Sequence, residues 1–91
     1  MTEEAARITW DKSTEEKFFK ILEDIPDMIR GIAEARVCRK AEDIVRAENR
    51  LVIKEKDMVD AFFVETPVGF KPLMKNSMKQ QGVDYTQYGH A

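Results

Sequence analysis

Apolar residues recur every three to four positions through most of this chain, and breaks in that rhythm divide it into elements. In "WDKSTEEKFFKILEDIP", Phe18, Ile21, Leu22 and Ile25 form one stripe, which predicts a first helix. Ser13 with Glu16 supplies a capping box for its start, with Asp11 as a competing cap. Pro26 ends this helix and suits the first turn of the next, where its missing N–H costs nothing. Asp27 then falls in that first turn, on the favourable side of the helix dipole.

From Pro26 to about Glu48 the only breaker is Gly31. Ile29, Ile32, Ala33, Val37, Ala41, Ile44 and Val45 keep the helical period. At about 1.5 Å per residue this helix is ~33 Å long, a beam on which shorter elements can pack. Its polar faces offer i,i+4 pairs: Arg30 with Glu34, Arg39 with Asp43, and Glu42 with Arg46. Asn49 is a helix stop, and "RLVI" is a short extended link with Leu51 and Ile53 on one side. A third helix is predicted from about Lys54 to Phe63, with Met58, Ala61 and Phe62 inward and Glu55 and Asp57 in its first turn. "ETPVGFKP" breaks the pattern. Pro72 then opens a short fourth helix through Leu73, Met74 and Met78, with Gly82 as its stop.

The predicted fold is all-α: three main helices around a long central one, and a short fourth near the C-terminus. Residues 1–9 are expected to be a flexible start, 10–65 the helical domain, and 66–91 an extension ending in the tail "VDYTQYGHA". Phe18, Leu22, Ile29, Ile32, Val37, Ile44, Met58 and Phe62 are the expected core. Phe63, Phe70, Leu73, Met74 and Met78 form a candidate interaction surface, since methionine and phenylalanine together suit adaptable docking; the alternative is that they only cover a thin core.

Composition narrows the chemistry. With 91 residues the chain is one small domain, and a net charge of −2 gives no global pull towards nucleic acid or an anionic membrane. No apolar stretch approaches membrane-spanning length. The acidic start "MTEEAAR" lacks the apolar run of a signal peptide, and Cys38 is the sole cysteine, so a cytoplasmic address is expected. Cys38 and His90 are the only soft or imidazole ligands and lie on different elements, so neither a catalytic triad nor a metal set is expected. The pairs Glu23–Asp24 and Glu42–Asp43 point roughly 100° apart on a helix and do not converge. Arg36 and Arg39 beside Cys38 could lower its thiol pKa, but a small residue at the edge of the apolar stripe is the favoured reading. The cations Arg36, Arg39, Lys40, Arg46 and Arg50 are interleaved with acids; residues 26–50 hold six basic and five acidic side chains, which argues against a phosphate-binding stripe. The expected class is a non-catalytic protein with no cofactor and a protein partner, a monomer or weak homodimer.

Residues 8–63 resemble the small helical domain at the C-terminus of the B subunit of light-independent protochlorophyllide reductase. The resemblance rests on Trp10 before the first helix and on Ile25, Pro26 and Arg30 at its end. It continues through Glu34 or Glu42 and Ala41 in the long helix, and closes on Ile53, Asp57 and Ala61. It implies an accessory or interaction domain associated with a nitrogenase-like or other redox enzyme. The iron–sulfur chemistry of such an enzyme needs several cysteine thiolates and does not carry over to a chain with Cys38 alone. A second likeness, of the long helix, "RLVI" link and "IKEKDMVDA", is to the histone fold; it implies the alternative of a dimeric DNA-binding protein.

Overall fold

The structure is a computed structural model, and it describes residues 7–91. Strand β1 (Thr9–Trp10) leads into α1 (Lys12–Glu23), α2 (Asp27–Ala47), β2 (Val52–Ile53), α3 (Glu55–Glu65) and α4 (Lys71–Gln80). Short 3₁₀ turns at Val68–Phe70 and Tyr85–Tyr88 precede and follow α4. The chain is mostly helical, as the periodicity predicts. The two-residue strands pair in parallel, Thr9 with Val52 and Trp10 with Ile53, and so tie the entry of α1 to the exit of α2. The expected flexible start therefore ends before Thr9; the part covering residues 1–6 lies outside the described residues.

Local chemistry sets the element ends. Asp11, not Ser13, caps α1: its carboxylate accepts from the Thr14 N–H at 3.1 Å and from the Thr14 hydroxyl at 2.9 Å. Pro26 stands one position before α2, as its N-cap. Arg30 reaches back across this junction. Its guanidinium donates to the carbonyls of Leu22 and Ile25, each at 2.9 Å, and of Glu23 at 3.2 Å. A cation thus sits on the carbonyls at and just beyond the end of α1, where the helix dipole favours it. Arg30 is also paired with Asp27 at 2.8 Å, not with Glu34. Arg46 likewise pairs with Asp43 at 3.3 Å, so the bridges on α2 form at i,i+3 and the expected i,i+4 pairs do not.

Asn49 does stop α2. Its φ of 59° is left-handed, and the Arg50 N–H returns to the Val45 carbonyl at 2.9 Å. Gly82 closes α4 in the same way, with φ of 73° and the Val83 N–H on the Met78 carbonyl at 2.9 Å. Both stops were legible in sequence.

The core joins Phe18, Ile21 and Leu22 of α1, Val37, Ala41 and Val45 of α2, Met58 and Phe62 of α3, and Met74 and Met78 of α4. Trp10 stacks on Phe18 at 4.6 Å, and Phe18 meets Phe62 at 5.7 Å. Four expectations are corrected here. Ile32 is not core but 58% exposed, because it stands about 140° round α2 from the buried face of Val37, Ala41 and Val45. Met74 and Met78 are core cover, not surface: both are fully buried where α4 packs on the core. Residues 83–91 are not a free tail: Val83 and Tyr85 are buried and the last turn docks on α3. Ile29 and Ile44, also expected in the core, are half-buried at its edge.

Candidate functional site

A groove lies beside the first half of α2. One wall is the first half of α2, through Ile29, Ile32, Ala33 and Arg36. The other runs from the end of α3 to the start of α4, through Glu65, Thr66, Pro67, Phe70 and Leu73. Ile25, Val37 and Met74 form the floor. Its volume is about 250 Å³. Pro67 has no N–H and an extended conformation (φ −58°, ψ 149°), so it breaks the chain away from α3 and sets Phe70 and Leu73 opposite α2. The Thr66 hydroxyl, which would otherwise face this apolar space, donates to the Met74 thioether at 3.2 Å. Met28 and Val68, at 91% and 81% exposure, stand out on the same stretches of chain.

The candidate interaction surface is thus brought together only in part. Phe70 and Leu73 line the groove. Met74 contributes its floor from within the core, Met78 lies wholly inside, and Phe63 belongs to a different cluster on α3. Ile29, Ile32 and Arg36 complete the site, and sequence reasoning had not assigned them to it. Their helical spacing was visible, as was a central helix longer than its neighbours; which of its residues face the 65–74 segment depends on where α3 and α4 pack.

The Phe63 cluster holds down the C-terminal turn. His90 stacks on Phe63 at 4.0 Å, and its Nε2 lies 2.6 Å from the Asp60 carboxylate, which also accepts from Lys56 at 2.8 Å. His90, expected in a tail, is held against α3 by this contact. Burial pushes the Asp60 carboxyl up, but the hydrogen bonds from Lys56 and His90 outweigh it and hold the group below its ordinary value. Lys75 sits over the rings of Phe63 and Tyr85, 5.9 and 6.0 Å from their centres. Glu55 joins three elements: Lys17 of α1 and the Tyr88 hydroxyl each donate to it at 2.8 Å. Burial first, and then this bond to Glu55, push the Tyr88 hydroxyl up to about 12.

Other candidates for chemistry resolve into structure. Burial, with Glu34, Glu42 and Glu15 nearby, pushes the Cys38 thiol up to about 11, away from a reactive thiolate. Among the described residues no group of three histidine, cysteine, aspartate or glutamate side chains is placed to hold a metal. No helix among them is long and apolar enough to cross a membrane. Of the cationic cluster, Arg50 is committed to Asp57 and Glu48, and Arg46 to Asp43. Arg36, Arg39 and Lys40 make no ion pair among the described residues. The positions carrying the protochlorophyllide reductase resemblance are structural. Trp10 stacks on Phe18, Ile25, Ile53 and Ala61 are buried, Pro26 and Arg30 build the α1–α2 junction, and Asp57 caps α3.

These features define a small all-α domain with an open apolar groove beside its longest helix. The chain belongs to the family described as "Protein of unknown function (DUF2621)", whose model matches residues 2–91. Neither a curated protein nor a solved structure gives a significant match to it.

Proposed function

We propose that this chain is a non-catalytic interaction domain that docks a protein partner in the groove between α2 and the 65–74 segment, working in the cytosol as a monomer or weak homodimer. One observation carries the reading: large apolar side chains remain in water on both walls, Ile32 at 58%, Phe70 at 38% and Leu73 at 37% exposure, around a formed cavity. Leaving such side chains uncovered is unfavourable by about 25 cal/mol per Å², and a contiguous patch of this kind is characteristic of a surface that is covered in use. The resemblance to the protochlorophyllide reductase domain supports the same class and points to a subunit of a redox enzyme as the partner.

Capture from native lysate tests this, with the parent chain, Ile32→Glu and Ala47→Glu compared side by side. Ala47 is exposed at the far end of α2 and leaves the groove untouched. A partner recovered by the parent and by Ala47→Glu but lost with Ile32→Glu supports the reading. Equal recovery by all variants, or none by the parent, contradicts it.

A second reading, a histone-fold-like dimeric DNA-binding protein, draws on one observation: Arg36, Arg39 and Lys40 are not neutralised by ion pairs among the described residues. A gel shift separates it. Phosphate-driven binding weakens steeply between low and moderate salt, and the absence of a shift at low salt eliminates this reading.

A further inference from the structure

We infer that the occupant of the groove is an amphipathic helix of a partner protein, whose apolar stripe is flanked at one end by acidic residues lying over Arg36, Arg39 and Lys40. This rests on the docking function proposed above and adds the chemistry of what docks.

The placement of the acidic end comes from the charge on α2. At about 100° per residue, Ile29, Ile32, Ala33 and Arg36 share the groove side of the helix, and Arg39 and Lys40 continue that side past the groove. The acids Glu34 and Glu42 fall on the side of Cys38, where their charges act on its thiol. Asp43 returns to the groove side but is paired with Arg46 at 3.3 Å. The groove therefore runs along α2 from an apolar end, at Ile25 and Ile29, towards a cationic end at Arg36, with Glu65 on the opposite wall as the lining acid. An acidic segment entering there gains complementary charge at that end.

The class of occupant follows from width. The cavity of about 250 Å³ is open, and Ile32, Phe70 and Leu73 on its two walls keep 58%, 38% and 37% of their surface in water. A single acyl chain on the floor leaves those outer surfaces wet, whereas a helix about 10 Å across, with anchors at i, i+3 or i+4, and i+7, presents apolar side chains to both walls at once.

The test uses synthetic 16-residue amphipathic peptides with one leucine stripe. One carries glutamates after the stripe, one carries lysines, and a third has the acidic composition in scrambled order. Binding is read by fluorescence anisotropy of the labelled peptide against the full chain. The acidic amphipathic peptide is expected to bind at least tenfold more tightly than the lysine version or the scramble. Its affinity should fall as salt rises, because exposed charges are screened. Arg36→Glu with Arg39→Glu should abolish or reverse the preference. Both side chains are exposed, and circular dichroism checks that the double variant keeps its fold. Equal affinity for the two amphipathic peptides, no binding of either, or a preference unmoved by the double variant would overturn the inference. Displacement of the acidic peptide by a short DNA duplex, with loss of the duplex in the double variant, would also overturn it by assigning these cations to phosphate. Capture that depends on Ile32 can survive all of these results, so failure of the inference is distinct from failure of the docking function.

Discussion

Arg50 closes on Asp57 through two hydrogen bonds, of 2.6 and 3.1 Å, across the link that joins α2 to α3. The Asp57 carboxylate is only 3% exposed and also accepts from the Lys54 N–H at 2.8 Å, so one side chain both caps α3 and anchors the end of α2. Charge-assisted, two-pronged bonds of this kind are the stronger class of hydrogen bond. Asp57→Ala removes the cap and the bridge together and should cost about 2–3 kcal/mol. Asp57→Asn keeps an acceptor for the Lys54 N–H and should recover part of the loss. Urea unfolding of the two variants checks both values and their order.

The docked C-terminal turn contributes to the core. Removing residues 83–91 strips away the buried Val83 and Tyr85 together with the Tyr88–Glu55 and His90–Asp60 contacts. By burial alone this should cost about 3–5 kcal/mol, a large share of the stability of a small domain. A chain ending at Gly82 should therefore melt far below the parent in a thermal scan. An unchanged midpoint would show that this turn is dispensable.

Asp60 gives the fold an acid-side dependence. Its carboxyl is held below the ordinary value in the folded state, so the folded protein binds this proton less readily than the unfolded chain. The resulting stability is present above the unfolded value near pH 4 and is lost as pH falls through the lower folded value. Asp60→Asn should destabilise the protein at pH 6 and narrow its gap from the parent below pH 3. Denaturant midpoints measured across that range read the difference.

Cys38 should react slowly. With its thiol pushed up to about 11, the thiolate fraction at pH 8 is well below that of a free cysteine, and half-burial slows access further. Alkylation by iodoacetamide at pH 8, followed by mass spectrometry, should proceed at least tenfold more slowly than for glutathione.

Much of the fold was legible in the sequence because its signals are local. The stripes on α1 and α3, the left-handed stops at Asn49 and Gly82, and Pro26 between α1 and α2 all act within a few residues. What stayed hidden depends on distant segments. Ile32 is the exception: it stands about 140° round α2 from Val37, so Val37 is 1% exposed on the core face while Ile32, at 58%, points off it. Met74 and Leu73 look alike as neighbours in "PVGFKPLM", and only the docking angle of α4 sends one inward and leaves the other on the groove. The segment "VDYTQYGHA" has the composition of a tail; its anchors Glu55, Asp60 and Phe63 lie on another helix.

The most direct test of the docking function places a photo-crosslinking phenylalanine analogue at Leu73, on the groove wall, and in a second protein at Ala47, at the far end of α2. Irradiation in living cells should join the Leu73 protein to one discrete partner and leave the Ala47 protein uncrosslinked, and Ile32→Glu should erase the adduct. A groove position that gives no adduct, while the far end of α2 does, would contradict the account.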